Sequence, residues 1–121
     1  MISVIIPTLN EAGVIESSLK NLLNYEGDFE VIVPDGGSSD GTLDIVSQFP
    51  QVKGVISARG RGRQMNEGAK LARGATLLFL HSDTRLPPCA FKMIEETMSD
   101  PSVVGGSFYI SFNHHNLLLK V

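Results

Sequence analysis

Cysteine is nearly absent from this 121-residue sequence. Cys89 is the single one, so no disulfide can form within the chain, which fits a reducing compartment. Long apolar runs are also missing, because no stretch approaches the roughly 20 apolar residues that span a bilayer. The amino terminus, MISVIIPTLNEAG, has no basic region ahead of its short apolar run, unlike a signal peptide. We therefore expect a cytoplasmic protein, with peripheral attachment to a membrane left open.

Positive charge is scarce as well. The sequence has 10 Lys and Arg against 13 Asp and Glu, a formal net charge of −3. No basic stripe is present, so we expect no binding of nucleic acid through its phosphates. Hydrophobic residues make up 42% of the sequence and charged residues 19%, which permits a packed core and argues against disorder. This length predicts a single domain covering residues 1–121.

Short apolar runs recur along the chain, each followed by a segment with helical periodicity. The first four predicted strands are 3–6, 30–33, 52–57 and 75–80. Four rounds of strand and helix predict βαβ units, and therefore an α/β fold with a mostly parallel sheet and helices on both faces. The run at 77–80 is apolar throughout, which favours a strand that is buried on both of its faces.

Capping residues and spacing predict where the helices begin and which faces they bury. Asn10 is placed to cap the first helix, and Ser39 or Asp40 to cap the second. The predicted apolar face of the third helix consists of Met65, Ala69 and Ala72. Tandem prolines at 87 and 88 favour the start of a fourth helix, and alternation over 103–112 predicts a final strand.

Polar or small residues follow each predicted strand. They are Thr8, Asn10, Glu11, Asp35, Gly36, Ala58, Arg59, His81 and Asp83. Because parallel strands end at the same edge of a sheet, we expect three carboxylates and an arginine to converge on one crevice there. Mg²⁺ and Mn²⁺ commonly bind one or two carboxylates plus substrate phosphates. This set therefore favours a nucleotide together with Mn²⁺ or Mg²⁺, and Asp83 suits the metal.

Two other nucleotide motifs fail on inspection. In GGSSDGT, Thr42 stands where a phosphate-binding P-loop needs lysine. In GRGRQM, Gly60 and Gly62 lack the third glycine of a dinucleotide site, and they follow the third strand instead of the first. A nucleotidyltransferase would also carry its glycine-rich loop after the first strand, where this sequence has PTLNEAG.

Three segments in order resemble the front part of a family 2 glycosyltransferase of the GT-A fold. They are SVIIPTLNEAGVIESSL, EVIVPDGGSSDGT and RGRQMNEGAKLARGATLLFLHSDTRLP. The shared pattern is Pro-x-x-Asn-Glu, then Asp-Gly-x-Ser-x-Asp, then Asn-x-Gly ahead of an ending similar to Asp-x-Asp. It covers the chain from residue 3 to about residue 112. The stretches GRGRQMNEGA and His-Ser-Asp-Thr also resemble a small bacterial subgroup associated with arsenosugar biosynthesis.

The resemblance implies roles for residues at matching positions. It implies that Pro7, Thr8 and Glu11 line the nucleoside pocket and that Asp35 bonds the base. It also implies that Arg59 lies near the base or the diphosphate, and that Asp83 binds the metal and the diphosphate. His81 departs from the family pattern, because the first aspartate of Asp-x-Asp usually stands there; this leaves its contact to the nucleotide in question.

Each of these residues also has a structural interpretation. Turn chemistry explains an aspartate in DGGSSDG, and a glutamate in a first helical turn favours the helix dipole. A solvated loop explains the arginines at 59, 61 and 63, and a structural hydrogen bond explains His81. Packing explains Cys89 and helix capping explains Asp40, while the pair His114 and His115 has no companion ligand at metal spacing.

The function predicted from the sequence is transfer of a sugar from a nucleotide-diphospho-sugar donor to a hydroxyl acceptor. The resemblance implies metal dependence and inversion at the anomeric carbon. It also implies that the general base lies in a later segment which this chain lacks, so we expect the chain to hold the donor half of the site and to be inactive alone. Two alternatives remain: a non-catalytic nucleotide-binding module, which would be a natural truncation or a subunit completed by a partner, and a sugar nucleotidyltransferase. The apolar NLLLKV end also suggests an interface, including self-association into a homo-oligomer.

Overall fold

The computed structural model describes residues 1–110 and 117–120; His114 and His115 therefore lie outside the described residues. Helices and strands alternate through most of the chain. In chain order the elements are β1 Ile2–Ile5, α1 Ile15–Leu23, β2 Phe29–Asp35, α2 Thr42–Val46, β3 Val52–Ile56, α3 Arg61–Leu71, β4 Thr76–Phe79, α4 Ala90–Met98, β5 Ser107–Ile110 and β6 Leu117–Lys120.

The first four strands form one parallel sheet in the order β3-β2-β1-β4. β1 and β2 are central, and every residue of β1 is buried, as is β2 from Val31 onward. A strand that is covered on both faces has a continuous run of apolar residues in its sequence. These two segments are rich in Ile and Val for this reason. The predicted α/β fold with a mostly parallel sheet is confirmed.

The main hydrophobic core lies on one face of the sheet. Residues at alternate positions of β1 and β2 point into it, and α1, α2 and α4 cover it. Helices α1 and α4 contribute Ile15, Leu19, Leu22, Phe91 and Ile94 to this core, and all five are buried. Phe91 anchors this side, because its ring stacks on Phe29 at 4.2 Å between centroids.

Helix α3 packs on the opposite face of the sheet, so helices lie on both faces as predicted. The predicted inward side of α3 was wrong. Gln64 and Gly68 are its buried residues, while Met65 and Ala69 are only half-buried. Gly68 takes the inward position because α3 lies very close to β1: a Cβ at residue 68 would come within 2.5 Å of Ile5 Cγ2.

Two predictions about helix starts have different outcomes. Asn10 does not cap α1, because the helix begins only at Ile15 and Val14 is its N-cap residue. Asn10 instead has a positive φ of 54°, a conformation that asparagine tolerates better than most residues. Asp40 does act at the start of α2, where its Oδ1 accepts a hydrogen bond of 3.1 Å from the N–H of Thr42.

Strand β4 pairs only with β1 among the described residues, and so it forms an edge of the sheet. Burial of 77–80 on both faces was therefore a wrong prediction: Leu77 and Phe79 are 40% and 44% exposed. Helix α3 packs chiefly against β2 and β1. A groove of about 610 Å³ follows this edge. Within the described residues, no helix has the length and apolar character needed to cross a membrane.

The last two strands, β5 and β6, pair antiparallel in a small separate sheet. The predicted final strand is thus confirmed over Ser107–Ile110, where Phe108 packs against the main core. The segment 111–116 and Val121 lie outside the described residues. Self-association through the apolar end stays a prediction.

Candidate functional site

Four segments meet where the parallel strands end. They are residues 6–14 after β1, 36–41 after β2, 57–60 after β3 and 80–89 after β4. We call them the crevice loops. The parallel sheet places all four along its carboxyl edge, which is where open α/β sheets bind ligands. The predicted convergence of strand-end residues on one edge is confirmed.

Asp35 joins the first two crevice loops. Its Oδ1 accepts hydrogen bonds from Thr8 Oγ1 at 2.7 Å and from Ser38 Oγ at 2.6 Å. Its Oδ2 accepts from the backbone N–H of Gly37 at 3.1 Å and of Ser38 at 2.8 Å. An ionised carboxylate offers about four lone-pair sites, and here four internal donors fill them. Thr8 and Asp35 are both 1% exposed, so this pair forms the floor of the crevice.

The same hydrogen bonds set the charge state of Asp35. Burial raises the pKa of this carboxyl, but the hydrogen bonds from Ser38, from Thr8 and from the N–H of Gly37 outweigh it, so the pKa lies below its usual range. Asp35 is therefore an anion at neutral pH and holds the start of the β2–α2 loop in place.

A second set of contacts joins the same two loops further out. Asn10 Oδ1 accepts from the N–H of Ser39 at 2.9 Å, and the N–H of Asn10 donates to Ser38 Oγ at 2.7 Å. The N–H of Ala12 donates to Asp40 Oδ2 at 3.0 Å. The sequence patterns did not indicate these cross-loop bonds. The only available signal was an Asn and an Asp in two loops predicted to be neighbours.

The other predicted residues of the first loop have fewer contacts. Glu11 is half-buried, and its side chain forms no hydrogen bond or ion pair with the described residues. Its backbone N–H donates to Thr42 Oγ1 at 3.0 Å. Glu11 lies four residues before α1, so a helix-dipole role in the first turn does not apply. Pro7 is half-buried at the end of β1.

Two arginines link the remaining crevice loops. Arg59 Nε donates to the carbonyl of Gly36 at 3.5 Å, which places its guanidinium between the β2 and β3 loops. Arg61, the first residue of α3, contacts the ring of His81, with its Nη2 2.5 Å from Nδ1 and 2.8 Å from Nε2. Because a guanidinium has only donors, the imidazole accepts in this contact. Two cationic groups thus border the crevice.

Asp83 lies in the β4–α4 loop with its carboxylate exposed. Two hydroxyl groups of the α1 region hold this loop: Ser18 Oγ donates to the carbonyl of Ser82, and Tyr25 Oη donates to that of Leu86. Asp83 itself forms no hydrogen bond with the described residues, and these residues contain no cluster of three or more potential metal ligands. One free carboxylate fits a cation that takes its other ligands from substrate phosphates and water.

Gln64 was missed by the sequence patterns. Its side chain is 4% exposed and reaches from α3 to the ends of β1 and β2, where it bonds backbone atoms. A polar residue one helical turn before a buried glycine was the available signal, but an amphipathic pattern assigns such a residue to the solvent face.

Comparison with known proteins decides the family. The model of the family described as Glycosyl transferase family 2 matches residues 3–119. The chain belongs to glycosyl transferase family 2. A PGL/p-HBAD biosynthesis glycosyltransferase from Mycobacterium tuberculosis is 43% identical over 93 residues, covering 71% of this chain and 36% of that protein. A poly(ribitol-phosphate) beta-glucosyltransferase from Bacillus spizizenii is 32% identical over 92 residues, covering 68% of this chain and 14% of that protein.

Solved structures confirm the GT-A type of fold. TarS from S. aureus superimposes with a TM-score of 0.74 at 30% identity, over 82% of this chain and 32% of TarS. Glucosyl-3-phosphoglycerate synthase from Mycobacterium tuberculosis, crystallised with Mn²⁺, UDP and glucosyl-3-phosphoglycerate, gives 0.61 at 27% identity, over 87% and 40% of the two chains. This family 2 chain thus spans about a third of the length of several relatives. The arsenosugar subgroup stays a prediction.

Proposed function

We propose that this chain is the donor-binding part of a glycosyltransferase that moves a sugar from a nucleotide-diphospho-sugar to a hydroxyl acceptor. The observation that carries the proposal is the carboxyl edge of the sheet, where an ordered floor, two arginines and a free carboxylate occupy neighbouring loops. A nucleoside diphosphate needs these elements: a pocket for the base, cations for its phosphates and a ligand for the accompanying metal.

The floor formed by Thr8 and Asp35 is assigned to the nucleoside, with Pro7 and Glu11 beside it. A hydrogen bond from the base to Asp35, as predicted, requires that the carboxylate release one of its four internal donors. The main role that we assign to Asp35 is therefore to order the loops. The half-buried carboxylate of Glu11, which bonds none of the described residues, is assigned as an acceptor for a ribose hydroxyl or a base N–H.

Asp83 is assigned to the metal, Mn²⁺ or Mg²⁺, and Arg59 to the diphosphate. The cation would neutralise the charge of the departing nucleoside diphosphate. His81 is assigned to the same nucleotide-binding region, because its ring contacts Arg61 at the border of the crevice. Similar proteins support the assignment: TarS has been crystallised with UDP, and the mycobacterial synthase with UDP and Mn²⁺.

We assign no described residue as the general base. Glu95 faces the opposite edge of the sheet, because its Oε1 lies 3.8 Å from the amino group of Met1. Asp100 accepts hydrogen bonds from Ser102 in a surface turn. In the reaction that we propose, the acceptor oxygen attacks the anomeric carbon from the side opposite the diphosphate, with inversion. Its proton goes to a base from the part of the family domain beyond residues 1–121.

The proposal is tested by calorimetric titration of the chain with uridine and guanosine diphosphates, each with and without Mn²⁺. We expect metal-dependent binding of one of them. Replacement of Asp83 by Asn should weaken nucleotide binding in the presence of Mn²⁺ by about tenfold or more, since a carboxylate ligand of the metal is lost. The same replacement should have little effect on nucleotide binding in the absence of metal.

The matched control is Asp28→Asn. It makes the same chemical change at an 81% exposed aspartate on the opposite edge of the sheet, and we expect it to bind nucleotide as the unchanged chain does. Absence of binding by a chain shown to be folded would contradict the proposal, as would equal effects of the two replacements.

A further inference from the structure

Gln64 hydrogen-bonds to two crevice loops and to the end of β2 through a single side chain. Its Nε2 donates to the carbonyl of Thr8 at 2.8 Å and to that of Pro34 at 2.9 Å. Its Oε1 accepts from the N–H of Gly60 at 3.3 Å. The amide thus joins the end of β1, the end of β2 and the start of α3, and all of its hydrogen-bonding groups are used.

The two carbonyls that Gln64 binds do not depend on it. Thr8 O also accepts from the N–H of Gly36 at 3.0 Å, and Pro34 O accepts from the N–H of Thr8 at 3.2 Å. The pairing of β1 with β2 therefore remains when Gln64 is removed. What is lost is the hydrogen-bonded link between this strand pair and the start of α3, which has Arg61 as its first residue and begins two residues after Arg59.

Gly36 shows how closely this amide fits. A Cβ at residue 36 would lie 2.7 Å from Gln64 Oε1, so a larger residue at the first position of the β2–α2 loop would displace the Gln64 amide. The neighbouring donors Gly37 and Ser38 both bond Asp35. The position of Gln64 thus bears directly on the geometry of the crevice floor, although its side chain is buried and cannot contact a ligand in the crevice.

We propose that Gln64 is a positioning residue, which fixes the β1, β2 and β3 crevice loops relative to one another so that the nucleotide meets a preformed pocket. This inference rests on the proposed donor-binding function of the same crevice. It predicts that loss of the side-chain amide leaves the sheet intact, loosens the three loops and weakens nucleotide binding.

The test uses Gln64→Met, which keeps the length of the side chain and removes its hydrogen bonds, together with Gln64→Ala. Amide hydrogen exchange, followed residue by residue, reports on the loops without any ligand. We expect faster exchange at the N–H groups of residues 36–38 and 60, with β1 and β2 still protected. Binding of the diphosphate identified for the unchanged chain should weaken by about tenfold, the scale of one or two lost hydrogen bonds.

The control is Ser3→Ala at the opposite edge of the sheet. There the Ser3 hydroxyl also links separate segments, by donating to Glu30 at 2.6 Å and accepting from the N–H of Gly74 at 2.8 Å. It should destabilise the fold without changing loop exchange or nucleotide affinity.

Unchanged loop exchange in both Gln64 variants would overturn the inference. So would faster exchange with unchanged affinity, because the loops would then need no fixing. If the unchanged chain binds no nucleotide, the proposed function fails, and the exchange data still decide whether Gln64 fixes the loops.

Discussion

At the scale of single residues, Asp35 is the most heavily bonded side chain of the crevice. The sequence predicted its place after a buried strand, and both the family resemblance and turn chemistry predicted an important role. Its four donors could not be foreseen, because they depend on how two loops meet. The predicted contact with the base therefore competes with bonds that already exist in the protein.

Replacement of Asp35 by Asn should lower the free energy of unfolding by about 2–3 kcal/mol at neutral pH, since hydrogen bonds to a buried charge are lost and an amide N–H₂ faces existing donors. Urea unfolding measures this. Because the folded-state pKa of Asp35 is lowered, its contribution is present above the unfolded pKa and is lost as the pH falls through the folded value. The stability of the variant should therefore depend less on pH in acid.

The control for Asp35 is again Asp28→Asn, whose carboxylate is exposed and which should change stability by less than about 0.5 kcal/mol. If Asp35→Asn also lowered the free energy of unfolding by less than about 0.5 kcal/mol, the four hydrogen bonds of Asp35 would contribute little to the stability of the fold.

At the scale of elements, α3 illustrates what periodicity can and cannot predict. Its existence and approximate range followed from the spacing of Met65, Ala69 and Ala72, but its inward face did not. The helix lies so close to the sheet that a glycine and a glutamine occupy the buried stripe. Hydrophobic patterns identify faces that pack through large side chains, and they fail where the backbone itself makes the contact.

Two glycines of α3 give a matched pair of substitutions. Gly68→Ala should lower the free energy of unfolding by about 1–3 kcal/mol, because its Cβ would come within 2.5 Å of Ile5 Cγ2 and force the helix away from the sheet. Gly62→Ala should instead raise it by up to about 1 kcal/mol, since a Cβ there meets nothing within 4 Å and alanine favours helix. Thermal or urea unfolding of both variants measures this, and changes of the same sign would contradict the packing described for α3.

At the scale of the whole molecule, the parallel sheet determines where the candidate site lies, because all four strands end at the same edge. Alternating strands and helices predicted the sheet direction, and hence the edge where the polar residues gather. The exposure of β4 could not be predicted, because its short apolar run does not show whether the strand lies at the edge or in the centre of the sheet. The partners of Gln64, Ser18 and Tyr25 depend on distances across the fold that no local pattern contains.

Carboxylates on both edges of the sheet have lowered pKa values. At the amino edge, burial raises the pKa of Glu30, but hydrogen bonds from Ser3 and Arg73 outweigh it. At the carboxyl edge, the hydroxyl of Thr42 lowers the pKa of Asp40.

The ionised carboxylates of Glu30 and Asp40 both favour the folded state above their unfolded pKa values. We therefore expect the free energy of unfolding to fall as the pH drops below about 4. Urea unfolding between pH 2 and 7 should show this dependence of the free energy of unfolding on pH, and the dependence should be weaker in Glu30→Gln. The same pH dependence in that variant as in the unchanged chain would contradict the role of Glu30.

The proposed function requires that the carboxyl edge of the sheet hold a metal-bound nucleotide at Asp83. The most direct measurement is the broadening of amide NMR signals by Mn²⁺, with uridine or guanosine diphosphate present. Broadening should be strongest at residues 81–84 and extend to 36–38 and 59–61, while Phe29 and Gly74 at the amino edge are spared. It should be lost in Asp83→Asn. Broadening centred on the amino edge, or unchanged by that replacement, would contradict the account.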